Sequence, residues 1–198
     1  MSGASGGVTG GVGEVVPGTL LVASPELLDP NFADTVVLMI DVDDDGAVGL
    51  VLNRPSAVMV ADVLAAWRDV VSPPETLFTG GPVGSDGALG LVRLADPDPG
   101  TAPVGFRALV DDLGLVDLDT PVELVEGSVS AVRIYAGYAG WGAEQLRGEI
   151  AEGSWYVVPG EVGDVFRPEV EDLRRDVLRR QPGERAWAAT RPADPGLN

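Results

Sequence analysis

Two apolar runs, Thr35-Val36-Val37-Leu38-Met39-Ile40 and Ala47-Val48-Gly49-Leu50-Val51-Leu52, flank the turn Asp43-Asp44-Asp45-Gly46. The first run is rich in β-branched residues, and Asp-Gly between apolar runs is a strong signal for an antiparallel hairpin. The hairpin sets the expectation for the rest of the chain. Upstream, Thr19-Leu20-Leu21-Val22-Ala23 reads as a further, mostly buried strand. Downstream, Asn53-Arg54-Pro55 ends the hairpin, and Val60, Val63, Leu64 and Trp67 recur at a spacing that predicts a helix over 60–70. Leu77-Phe78 leads into Gly80-Gly81-Pro82-Val83. Further strands are expected over 89–94, 129–135 and 155–158. Helices are expected over 143–151, with Leu146 and Ile150 inward, and over 168–180. The last has Pro at its start, acids in its first turn and Arg in its last. The pattern over 106–113 is compatible with a short helix, and Gly137-Tyr138-Ala139-Gly140-Trp141-Gly142 reads as a tight loop. Helices and strands mix without strict βαβ alternation, which predicts a single α+β domain over residues 17–181. A flexible lead-in is expected over 1–16 and a mobile tail over 182–198.

Composition narrows the chemistry. The 198 residues carry 31 acids against 13 bases, a net charge of −18, and every base is arginine. Up to residue 164 there are 6 Arg and 25 acids; after it, 7 Arg and 6 acids. The chain has no Cys, His or Lys. That excludes an ordinary zinc or iron–sulfur site, a Ser–His–Asp triad, a Schiff base and a Walker-type loop. No cofactor is implied. A body this negative repels a phosphate backbone and an anionic membrane. The basic cluster Arg174, Arg175, Arg179 and Arg180 alternates with acids, as on a solvated, salt-bridged helix face. No run approaches the roughly 18 apolar residues of a membrane-spanning helix. The N-terminus lacks a basic n-region and an apolar h-region, so the default compartment is the cytoplasm.

Three places have residue types that bear on function. Asp41-Val42-Asp43-Asp44-Asp45-Gly46 opens like a calcium loop. Such a loop needs a bidentate Glu at its twelfth position, which counts to Leu52 here, so an acidic hairpin tip is the better reading. Gly80, Gly81 and Pro82 form a turn whose backbone allows close approach, either as a structural turn or as a pocket wall. Gly137, Tyr138 and Trp141, followed by Gln145, sit at a strand-to-helix junction. There the two rings either stack on a planar ligand or pack into the core. Together with Asn53, Arg54 and Pro55, these residues form a candidate ligand site. Arg54, the only base in the first 67 residues, would be its ionic anchor.

The ordered set Gly18-Thr19-Leu20-Leu21-Val22-Ala23-Ser24-Pro25, Leu28-Asp29-Pro30-Asn31-Phe32, Gly46 to Pro55, Gly80-Gly81-Pro82-Val83 and Gly137-Tyr138-Ala139-Gly140-Trp141 with Gln145-Leu146 and Trp155 resembles the bacterial YqgE/AlgH family, from about Pro17 to about Phe166. The resemblance implies a compact α+β fold with a bent, partly barrel-like, mostly antiparallel or mixed sheet and flanking helices. It implies a cytosolic protein and no particular activity. The family is often labelled a transcriptional regulator, without a recognisable DNA-binding motif. Many relatives have His near the positions of Val42 and Arg93, and Gly where Glu144 stands here. A histidine-dependent activity is therefore impossible in this chain.

These observations point to a small-molecule-binding or regulatory protein that acts through a ligand or a protein partner and without direct DNA contact. A transcriptional regulator and a carboxylate-based hydrolase, with or without Mg²⁺, are the alternatives. No spacing singles out a catalytic carboxylate pair. Duplex DNA is expected to show no mobility shift with micromolar protein at about 0.15 M salt. A complex that persists as salt rises would refute the electrostatic argument.

Overall fold

The computed structural model describes residues 14–182. The expected tail over 182–198 and the lead-in lie almost entirely outside them. The strands are β1 (Thr19–Ala23), β2 (Val36–Val42), β3 (Gly46–Val51), β4 (Pro55–Met59), β5 (Thr76–Thr79), β6 (Val83–Leu94), β7 (Phe106–Val110), β8 (Leu113–Val116), β9 (Val129–Gly142) and β10 (Trp155–Pro159). The α-helices are α1 (Val60–Val63), α2 (Ala143–Ala151), α3 (Val162–Val165) and α4 (Leu173–Arg179). One curled, half-barrel sheet runs in the order β10-β1-β2-β3-β9-β6-β8-β7. Its pairs are antiparallel except β5 with β9, and β4 pairs with β5 off the main path.

The β2–β3 hairpin forms across the Asp-Gly turn, with Val37 opposite Val51 and Val42 opposite Ala47. Asp43 accepts the amides of Asp45 and Gly46 at 2.8 and 2.9 Å, so its carboxylate holds a turn of the kind short acidic side chains favour.

Four sequence expectations need correction. Residues 106–113 form the β7–β8 hairpin, not a helix, with Phe106 opposite Val116. Asp111 turns the corner at a φ of +49°. The helix expected over 60–70 is only α1 and a 3₁₀ turn at Ala65–Trp67. Leu64 leaves the helical region and hands the chain to that turn, which buries Trp67. The last helix is shorter than 168–180, because α4 begins at Leu173. Finally, Gly137–Gly142 is strand and not loop: β9 runs for 14 residues and pairs with β3 from Ala139 to Gly142.

β9 is the hub of the sheet. One edge bonds β6; the other bonds β5 and then β3. Its side chains alternate between faces, as in any strand. Tyr135 faces a core with Leu20, Leu38 and Leu173, while Val132 and Ile134 face a second core around Trp67. At Gly137 the φ of +68° turns the backbone over. Beyond it the parity reverses: Tyr138 rejoins the first core, and Ala139 and Trp141 enter a third with Leu146 and Trp155.

Arg133 anchors β9 to the segments packed on it. It is 1% exposed, and its guanidinium donates to the carbonyls of Val165, Arg167 and Pro73, the last two at 2.9 Å. Its charge also sits 4.4 Å from the Phe78 ring centroid, in cation–π geometry. Burial pulls its pKa below the usual guanidinium value, with the neighbouring Tyr135 opposing the shift. Burial pushes the Tyr135 phenol upward in turn.

Of the basic cluster expected on a solvated, salt-bridged face, Arg175, Arg179 and Arg180 are exposed and Arg175 pairs with Asp172, whereas Arg174 is largely covered. Arg174 donates to the Ala23 carbonyl through Nε and Nη2 at 3.1 and 2.9 Å. Arg180 makes a fork to both oxygens of buried Asp164 at 2.7 Å, and this bonding raises its pKa.

Gly137 makes the fold testable. A Cβ there would lie 2.7 Å from the Gly81 carbonyl oxygen and 2.8 Å from that of Val83, at a positive φ. Gly137→Ala is expected to destabilise by about 3 kcal/mol or more, through strain and backbone clash together. Gly148→Ala, where a Cβ meets nothing within 4 Å in α2, is expected to stabilise by about 0.5–1 kcal/mol. Urea unfolding of both variants checks the opposite signs.

Candidate functional site

The three segments singled out in the sequence meet around β9. Val51 donates its amide to the Gly80 carbonyl, Thr79 to that of Arg54, and Gly80 to that of Ala136, each at 2.8 Å. A Cβ on Gly80 would strike the Gly137 carbonyl, and one on Gly81 would strike the backbone of Tyr138. The meeting is one of backbone against backbone.

The side chains there are engaged within the protein. Asn53 accepts the Val36 amide and donates to the Asp34 carbonyl, both at 2.9 Å. Arg54 donates to the Ala33 carbonyl at 3.1 Å. These contacts pin the loop before β2. Pro55 begins exposed β4, and exposed Pro82 precedes β6. Tyr138 is half-buried and lies against the Cβ positions of Gly84 and Gly140.

Trp141 and Gln145 belong to a different cluster, one the sequence reading did not assemble. Trp141 is 5% exposed and Trp155 3%. Their rings stand edge-to-face at 5.8 Å, and Phe32 lies 5.6 Å from each. Both indole N–H groups donate to one oxygen of Glu149, at 3.0 and 2.8 Å, and Gln145 donates to the other at 2.9 Å. The one sequence signal for Glu149 is its position four residues after Gln145 on the expected helix. Its indole partners come from β9 and β10, which no local pattern brings together.

A cavity of about 550 Å³ opens between α2 and the β2–β3 hairpin. The helix begins as soon as β9 ends and folds back over the β3–β9 pair, so Ala143, Leu146 and Ile150 face Val42 and Ala47 of the hairpin. Val15 and Pro17 close one side. The lining is mainly apolar, and its polar groups are Glu14, Asp43, Asp44 and Arg147. None of the ten candidate residues lines this groove. Arg147 is engaged by Glu144 at 2.7 Å. Among the described residues the three acids have no basic partner, and no cluster of three metal-ligating side chains occurs. No helix among those residues is long and apolar enough to cross a membrane.

Glu149 holds α2 against the tryptophans and so holds the helical wall of the groove. Glu149→Ala is expected to lower stability by about 2–4 kcal/mol, because it leaves two buried indole donors unpaired. Glu149→Gln keeps an acceptor and is expected to lose about half as much. Urea unfolding followed by tryptophan emission reads both.

Comparison with known proteins places this architecture. A family model described as AlgH-like matches residues 20–186. A UPF0301 protein of Streptomyces coelicolor is 52% identical over 182 residues, covering 91% of this chain and 94% of its own. A UPF0301 protein of Mycobacterium tuberculosis is 43% identical, covering 91% and 90%. The crystal structure of protein DIP2367 from Corynebacterium diphtheriae matches with a TM-score of 0.85 at 32% identity, covering 90% of this chain and 93% of that one. The solution structure of the AlgH protein from Pseudomonas aeruginosa matches with a TM-score of 0.65 at 27% identity, covering 90% and 91%.

Proposed function

This chain belongs to the AlgH-like family, and from that premise we propose that it is a ligand-binding regulatory protein that acts without touching DNA. Its binding site is the groove between α2 and the β2–β3 hairpin.

The groove itself carries this reading. Its volume of about 550 Å³ lies within the range of roughly 300–1,000 Å³ typical of small-molecule sites. Its lining has the expected character, largely apolar with a few polar groups. The walls are fixed: Leu146 is 5% exposed within the tryptophan core, and Asp43 is tied into the hairpin turn. Preformed walls bind a ligand with little ordering cost. The three-segment junction supports the same location by contrast, because Asn53 and Arg54 already satisfy backbone groups there. A charge of −18 supports regulation through a ligand or protein partner over contact with a phosphate backbone.

Nile red, a neutral dye that brightens in apolar surroundings, tests the location. Its emission is expected to rise with added protein. Ala151→Trp, an exposed position at the groove, is expected to abolish the rise without shifting the unfolding midpoint. Arg54→Ala is expected to keep it. Loss of the signal in Arg54→Ala alone would return the site to the three-segment junction.

A further inference from the structure

We infer that the groove takes an organic cation, an amine with an apolar body; this rests on the groove being the binding site. The apolar half of the argument is the partly exposed wall formed by Val15, Val42 and Ile150 over buried Ala47 and Leu146, which gives an alkyl or aromatic body a surface to cover. The charged half is the acidic part of the lining. Glu14, Asp43 and Asp44 belong to it, and among the described residues none of them is paired with a base. Asp43 has one carboxylate oxygen engaged by the amides of Asp45 and Gly46, which fixes the group in place. Among the described residues Arg147 is the only basic residue of the lining, and Glu144 holds it at 2.7 Å. The groove therefore offers an apolar surface beside a fixed negative field. An ammonium head on an apolar stem complements both, and a carboxylate on the same stem meets repulsion.

The test uses three probes with one apolar body: octylamine, octanol and octanoate, each displacing Nile red from the full-length chain at pH 7. Octylamine is expected to displace the dye at a concentration at least tenfold below that of octanoate, with octanol between them. The double variant Glu14→Gln with Asp44→Asn is expected to remove the preference, bringing octylamine and octanol to parity. The double variant Glu123→Gln with Glu126→Gln makes the same charge change at exposed positions outside the groove and is expected to leave the preference intact. Equal displacement by all three probes overturns the cation inference while the groove still stands as a site. An equal loss of preference in both double variants also overturns it, because the attraction then belongs to the whole negative surface. If Nile red does not bind the wild-type chain, or binds undiminished to Ala151→Trp, the groove reading fails and the inference fails with it.

Discussion

The fold depends on one backbone event, the left-handed turn at Gly137 inside the longest strand. A strand has two faces and serves at most two layers. The φ of +68° at Gly137 reverses the alternation of β9, so a single strand supplies side chains to three cores. Tyr135 and Tyr138, three residues apart, reach the same core only because of that reversal. The turn is held by crowding. The carbonyls of Gly81 and Val83 occupy the space where a Cβ at 137 would lie, and Gly137 in turn leaves no room for a side chain on Gly80. Three glycines thus let three chain segments share a space too small for side chains.

This crowding explains why the most distinctive segments of the sequence are not where the groove is. Gly-rich and aromatic junctions are a reasonable place to look for a ligand, since loops on a rigid scaffold often have function. Here the same composition serves the sheet. Asn53 and Arg54 secure the chain before β2, and Trp141 joins Trp155 around the Glu149 carboxylate. The groove is a consequence of that second arrangement. Glu149 draws α2 onto the tryptophans, and the helix surface beside this contact is left facing the hairpin turn.

The arginines show a similar division. With thirteen of them and no lysine, the protein places several in roles that use a planar fork rather than a surface charge. Arg133, buried on β9, gathers the carbonyls of Pro73, Val165 and Arg167 from segments outside the sheet, Arg174 caps the Ala23 carbonyl, and Arg180 clasps Asp164. Cations used this way leave acidic stretches of the surface without counter-charges. The β2–β3 turn is one such stretch, and it borders the groove.

The sequence by itself determined the hairpin, the β1 and β10 strands, helix α2 with its inward Leu146, and the list of chemistries that a chain without Cys, His or Lys cannot perform. These follow from local rules: periodicity, turn residues and functional-group inventory act over a few residues. It also determined the family, because the ordered motifs span most of the chain. The tertiary structure decided the rest. Residues 106–113 satisfy a helical pattern yet form a hairpin, because β6 presents an open edge to β8. The segment 137–142 reads as a loop, yet it is strand because β3 bonds to it. Glu149 has no motif around it, and its meaning comes from two indoles that lie fourteen residues apart in sequence, at positions 141 and 155. The groove is likewise an arrangement between a helix, a turn and the chain before β1, and only long-range packing brings those surfaces within reach of one another.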